Sequence, residues 1–192
     1  TLTLLIKVTS ICHLGSYIGG VSGKAVFVKS QVDEWISNVN ALAKIAKTEP
    51  QLAYAAYVYG LSKKWSFVTR TTPNISEHLK KLEFHVKETL IPAIVGKEFI
   101  SDDTRRIFSL PARLGGLGFL DPCSVADLEY ESSVAATSQL TNAIYNQQSF
   151  LVIDEEKQTE TMSRVKHKKS EWYKELQNAI RKESSASVSK IL

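Results

Sequence analysis

Apolar positions along this chain recur with helical spacing from about residue 32 onward. Val32, Trp35, Ile36, Val39, Leu42, Ala43 and Ala46 fall at i, i+3, i+4, i+7 intervals and predict an amphipathic helix. Thr48 and Gln51 then form a capping-box pattern around Pro50, so a second helix is expected to start there. Its residues from Leu52 to Leu61 are apolar almost all round, as in a helix buried at the centre of a bundle. A third helix, capped by Thr72-Pro73 or Ser76, turns Ile75, Leu79, Leu82, Val86 and Leu90 inward and Lys80, Lys81, Lys87 and Glu88 outward. Pro92 and Gly96 break that pattern. A short helix is expected from Ser101-Asp102-Asp103 to Phe108, and another from Asp121-Pro122 through Leu128 and Val134, with a further one near Leu140 to Gln147.

The first 23 residues behave differently. Thr3 to Val8 is β-rich, and Gly15, Gly19, Gly20 and Gly23 punctuate the stretch that follows, which suits a short strand pair with tight turns. The expected fold class is therefore mainly α, a helical bundle with a short N-terminal β-hairpin. Three parts are expected: the hairpin at 1–23, a helical body at 24–150 and a charged tail at 151–192. The tail has only Val165, Trp172, Leu176 and Ile180 as spaced apolar residues and reads as a long exposed helix, partly disordered, running into a Ser-rich end.

Charge sharpens this division. The chain carries a net +4, yet residues 161–192 alone hold eight Lys/Arg against three Glu. The tail is thus the basic part, and a basic arm favours polyanions such as nucleic acid; a solvated helix face is the alternative. No apolar run approaches the ~20 residues that span a bilayer, so no membrane partner is expected. Cys12 and Cys123 show no metal-type spacing and read as unpaired thiols of a reducing compartment, so an intracellular location, cytoplasmic or nuclear, is expected. A chain opening on Thr1 without methionine suits a piece of a longer reading frame.

Candidate chemistry is sparse. Asp102-Asp103 is the only aspartate pair, and at a helix N-terminus its acids meet the helix dipole, a better account than metal binding. Gly116 and Gly118 make a GxG without the full dinucleotide fingerprint, so a structural turn is expected. Arg113 beside it has two readings: an ion pair with Glu83 or Asp121, or a backbone phosphate contact. The four histidines, at 13, 78, 85 and 167, lack ligand spacing, and no GxSxG nucleophile motif occurs. Lys63, Lys64 and Arg70, interleaved with Trp65 and Phe67, form a candidate phosphate-tracking surface, although Trp65 itself reads as core.

A series of phrases adds more than any one of these. They are His13-Leu14-Gly15 with Tyr17-Ile18-Gly19, then Trp35, Thr48 to Gln51, Lys64 to Pro73 (KWSFVTRTTP), Leu82-Glu83, Leu90 to Gly96 (LIPAIVG) and Ser109 to Pro122 (SLPARLGGLGFLDP). In order and spacing they resemble the region just after the palm in reverse transcriptases, the RNA-directed DNA polymerases, of animal mobile elements (retrotransposons). The resemblance implies that His13 and Gly15 lie near a primer grip, and that the helices from Val32 to Leu61 form a thumb over template–primer duplex. It also implies a parent enzyme that uses Mg²⁺, while the fingers, most of the palm and the metal-binding aspartates are missing from this chain. The expectation is a fragment with no catalytic residue and no cofactor of its own, inactive alone. Its nucleic-acid contacts are expected at His13, Gly15, Lys63, Lys64, Arg70, Arg105, Arg106, Arg113, Lys166, Lys168 and Lys169, weak and without sequence preference. The rival reading is a helical protein-interaction scaffold or an element remnant without function. Clustering of Lys63, Lys64, Arg70, Arg105 and Arg106 on one face separates the first reading from the second.

Overall fold

The computed structural model describes residues 10–13, 15–148 and 153–188, with side chains from 15 to 148 and from 153 to 182. The fold is mainly α, with a small β-hairpin at its start. Strands β1 (Ser10–His13) and β2 (Ser16–Gly19) pair antiparallel in the register Ile11 to Ile18 and His13 to Ser16, and Gly15 turns between them at φ +80°. The β-rich Thr3–Val8 stretch lies outside the described residues.

Helix α1 (Val21–Ala46) begins well before the Val32 expected from periodicity. Gly23 falls inside it because the Tyr17 ring lies against that turn, where a Cβ would overlap the phenol. Tyr17 then stacks on Phe27 with ring centroids 5.7 Å apart, which fixes the hairpin on the helix. From Trp35 onward α1 follows the expected phase, burying Val32, Trp35, Ile36, Val39, Ala43 and Ala46.

Helix α2 (Pro50–Ala55) runs through a π-helical turn (Ala56–Leu61) into α3 (Ser62–Thr71). Pro50 opens α2 as expected, but the capping box does not form: the Thr48 hydroxyl donates back to the Ile45 carbonyl at 3.2 Å. Nor is this helix buried all round. Ala53, Tyr57 and Leu61 face the core, whereas Leu52 is 60% and Tyr59 76% exposed. An unbroken apolar run carries no phase, so composition alone could not show that one face stays in solvent.

The third predicted helix is a composite. A 3₁₀ turn (Ser76–Leu79) leads into α4 (Lys80–His85), a π-helical turn (Val86–Leu90) and α5 (Ile91–Val95), which ends on Gly96 in the left-handed conformation. All five inward positions, Ile75, Leu79, Leu82, Val86 and Leu90, are buried. Pro92 does not end the helix: it sits just past the π-helical turn, where the regular i to i−4 ladder is already interrupted. Helix α6 (Asp102–Ser109) is capped by Ser101, whose hydroxyl accepts from the Thr104 N–H.

Helix α7 (Pro122–Tyr145) is continuous, where two helices were expected. In its Ser/Thr-rich middle, Ser132, Thr137 and Thr141 each donate to the carbonyl four residues back, which satisfies the hydroxyls within the helix instead of in a break. Helix α8 (Glu155–Val188) folds back against α7 and α6.

Candidate nucleic-acid interface

The phrases that carry the resemblance meet in one aromatic chain through the core. Trp35 of α1 lies 6.0 Å from Trp65 of α3, Trp65 lies 5.7 Å from Tyr57, and Tyr57 lies 4.9 Å from Phe119. Tyr54 closes the series, edge-on to Phe119, with its hydroxyl donating to the Leu117 carbonyl at 2.9 Å. Trp65 is thus core, as its spacing indicates. The glycine-rich loop is a structural turn, with Gly115 and Gly118 at positive φ. Gly116 has a steric reason instead: a Cβ there would overlap the Leu110 carbonyl and come within 2.6 Å of the Ile107 oxygen.

Arg105 corrects the contact list. It is 5% exposed, and its Nε and one terminal nitrogen each donate to the Glu83 carboxylate at 2.7 Å. The other terminal nitrogen donates to the Phe119 carbonyl at 2.6 Å and the Ser109 hydroxyl at 2.7 Å. Such a guanidinium cannot reach a phosphate; it ties α4 to α6 and to the glycine loop. Burial lifts the Glu83 carboxyl to about 6 against the pull of Arg105, so at neutral pH the pair is ionised on both sides. Arg113, for which Glu83 or Asp121 was the expected ion-pair partner, instead lies over the Tyr173 ring at 6.0 Å. Arg105 follows Asp102-Asp103 and Arg113 precedes Asp121, and only the folded loop decides which of them reaches Glu83.

The remaining cations divide by place. Lys64 is exposed and lies 3.7 Å from Glu34 of α1. Arg106 lines an open cleft with Asp121, Trp172 and Glu175, where α6 faces α8. Lys166 is exposed on α8. Gly15 sits against Phe67 of α3, and His13 ends β1 in register with Ser16; the His13 side chain lies outside the described residues.

Three others converge. Arg70 of α3 donates to Glu129 of α7 at 3.1 Å, and Lys169 of α8 reaches the other oxygen of the same carboxylate at 2.9 Å. Lys63 lines a cleft of about 80 Å³ with Ser62, Ser66, Gly118 and the same Glu129. Burial pushes the Glu129 carboxyl up, yet Lys169 and Arg70 more than offset this and hold it below its ordinary value. Beside this pair, Lys168 of α8 pairs with Glu131. Sequence reasoning missed Glu129 and Glu131. A signal existed: Lys169 interrupts the apolar spacing of Val165, Trp172, Leu176 and Ile180, and a cation in such a seam calls for a carboxylate opposite.

The aspartate pair sits as its sequence context indicates, in the first turn of α6, and Lys87 holds the Asp102 carboxyl below its ordinary value from 2.7 Å. Among the described residues no three His, Cys, Asp or Glu come together as a metal-ligand set. Burial pushes the Cys123 thiol up to about 12, so it is an inert thiol at neutral pH. No helix among the described residues is long and apolar enough to cross a membrane. Comparisons with protein-family models, with curated proteins and with solved structures find no match.

Proposed function

We propose that this chain is the non-catalytic, post-palm helical part of a mobile-element RNA-directed DNA polymerase, and that it holds template–primer duplex through backbone phosphates. The ordered phrases from His13 to Pro122 support the lineage. The pairing of Arg70 and Lys169 with Glu129, with Lys63 lining the cleft beside it, supports the contact: three cations from two helices lie about one carboxylate. Phosphate contacts of this kind position a duplex and carry no sequence information.

The test is a binding titration of the purified chain with an RNA–DNA duplex at several salt concentrations. About four phosphate contacts would give a log–log slope on the order of −4. Binding that ignores salt, or that discriminates among sequences of equal length, removes this reading.

A second reading, a protein-interaction scaffold, draws on a specific observation. The five cations whose clustering separates the two readings are dispersed: Arg105 is buried, Lys64 pairs across to α1, and Arg106 lies by α8. The nucleic-acid reading therefore rests on the Glu129 face, which keeps only Lys63 and Arg70 of that set. Salt-independent capture of a protein partner together with no duplex binding would put the scaffold in front.

A further inference from the structure

Helix α8 is attached to α7 in two different ways along its length. At its start the links are neutral hydrogen bonds. Gln139 of α7 donates to the Asp154 carbonyl at 3.1 Å and accepts from the Asp154 N–H at 2.9 Å, and Gln158 donates to the Ala136 carbonyl at 3.1 Å. Thr161 is buried at this end. Farther along the attachment changes character. Val165, Trp172, Tyr173, Leu176 and Ile180 are only half-buried, Arg113 lies over the Tyr173 ring, and the links to α7 include ion pairs: Lys168 to Glu131 and Lys169 to Glu129, with Arg70 on the same acid.

An exposed pair such as Lys168–Glu131 contributes little and is screened by salt, and Glu129, only 19% exposed itself, is reached from solvent through the partly exposed cations that hold it. A slim apolar seam with such pairs is a weak attachment beside the hydrogen-bonded start. The groups that hold it are also the cations that a phosphate backbone would seek. Glu129 and Glu131 present carboxylate oxygens to Arg70, Lys168 and Lys169 in place of phosphate oxygens.

We infer that the α7–α8 seam is a polyanion-binding surface occupied by the chain's own carboxylates. A nucleic-acid backbone displaces Glu129 and Glu131 from Arg70, Lys168 and Lys169, and α8 swings from its hydrogen-bonded start to lay its lysines along the phosphates. This rests on the duplex-binding reading above and adds to it both the contact groups and a release step. No bond is made or broken covalently; the exchange is of ionic partners, with release of the backbone's counterions.

The experiment follows the shielding of Trp172 in the full chain by acrylamide quenching, since Trp35 and Trp65 are buried and scarcely quenched. A Trp172→Phe chain assigns the signal. Raising NaCl alone from 0.05 to 0.5 M (about a threefold change in screening length) is expected to increase quenching, while hydrogen exchange at residues 154–162 stays protected. At low salt, an RNA–DNA duplex is expected to do the same. Glu129→Gln/Glu131→Gln is expected to bind duplex on the order of tenfold tighter. Glu155→Gln/Glu156→Gln, which removes equal charge from the anchored end, is expected to show a markedly smaller gain.

Salt that leaves Trp172 shielded overturns the latch without reference to nucleic acid. Duplex binding with unchanged quenching, or equal gains in the two double variants, overturns it while the proposed function stands. Absence of duplex binding at low salt removes the proposed function, and the release step with it.

Discussion

Arg105 and Glu83 meet as a two-point pair, both contacts at 2.7 Å, with the arginine side chain 6% and the glutamate 18% exposed. The pair joins α4 to α6, and through Phe119 it fixes the loop that carries the Gly116 close approach. Removing one partner of a buried pair leaves a charge without compensation, a cost of about 3–5 kcal/mol. Arg105→Met or Glu83→Leu is therefore expected to lower unfolding stability by that amount. Arg105→Met/Glu83→Leu together is expected to recover most of the loss, because neither charge is then stranded. Urea unfolding of the three variants measures this, and equal, additive losses would contradict the coupling.

The Tyr57 hydroxyl is the opposite case. The ring is in the middle of the aromatic chain, but its oxygen is buried and has no hydrogen-bond partner among the described residues. Burial pushes the phenol well above its ordinary range. Tyr57→Phe keeps the ring contacts and deletes a polar group whose desolvation nothing offsets. It is expected to leave stability unchanged or raise it by up to about 1 kcal/mol. Thermal unfolding is the measurement, and a loss of similar size would show that the hydroxyl is partnered.

How much of this was legible in the sequence depends on whether a residue's neighbours share its phase. Ile75, Leu79, Leu82, Val86 and Leu90 are spaced by threes and fours between polar residues, and that rhythm placed all five inside. Ser101 followed by two aspartates announces the start of α6, because the capping chemistry is local. The run from Leu52 to Leu61 offered no such rhythm, so its exposed face was invisible. The Ser/Thr content of α7 resembled a break, since the same hydroxyls serve caps and turns as readily as they donate back along a helix. The candidate site was harder still. Arg105 and Arg113 look alike in sequence, and only the folded loop separates an internal tie from a surface cation. Glu129 acquires its role from α3 and α8, neither of which lies near it in the chain.

Glu129 also predicts a pH dependence. It is faced by Arg70 of α3, by Lys169 and Tyr173 of α8, and across the small cleft by Lys63. Its carboxyl is depressed in the folded chain, so the folded state gives up that proton more readily than the unfolded one. The resulting stability is present above the ordinary glutamate value of 4.5 and is lost as pH falls through the folded value. The difference in unfolding free energy between the native chain and Glu129→Gln is therefore expected to be constant from pH 7 to about 5 and to shrink below 4.5. Taking the difference cancels Glu83, which is common to both chains. A difference that grows on acidification would reverse the sign of the argument.

The basic face makes the most direct prediction about function. Arg70 and Lys169 hold a single carboxylate and Lys63 lines the cleft beside it, so each is expected to contribute to duplex binding as one phosphate contact. Replacing any one with Ala is expected to weaken binding at low salt and to make the log–log salt slope shallower by about one unit, leaving sequence preference unchanged. Lys64, drawn toward Glu34 on α1, and Arg105, enclosed by Glu83 and Phe119, are expected to leave the slope as it was when replaced by Gln and Met respectively. Arg105→Met lowers stability for the reason given above, so its binding must be measured where the chain is still folded. Duplex titrations at two salt concentrations on these five variants decide the matter. A slope that shifts for Lys64 and Arg105 but not for Lys63, Arg70 and Lys169 would move the duplex away from the Glu129 face.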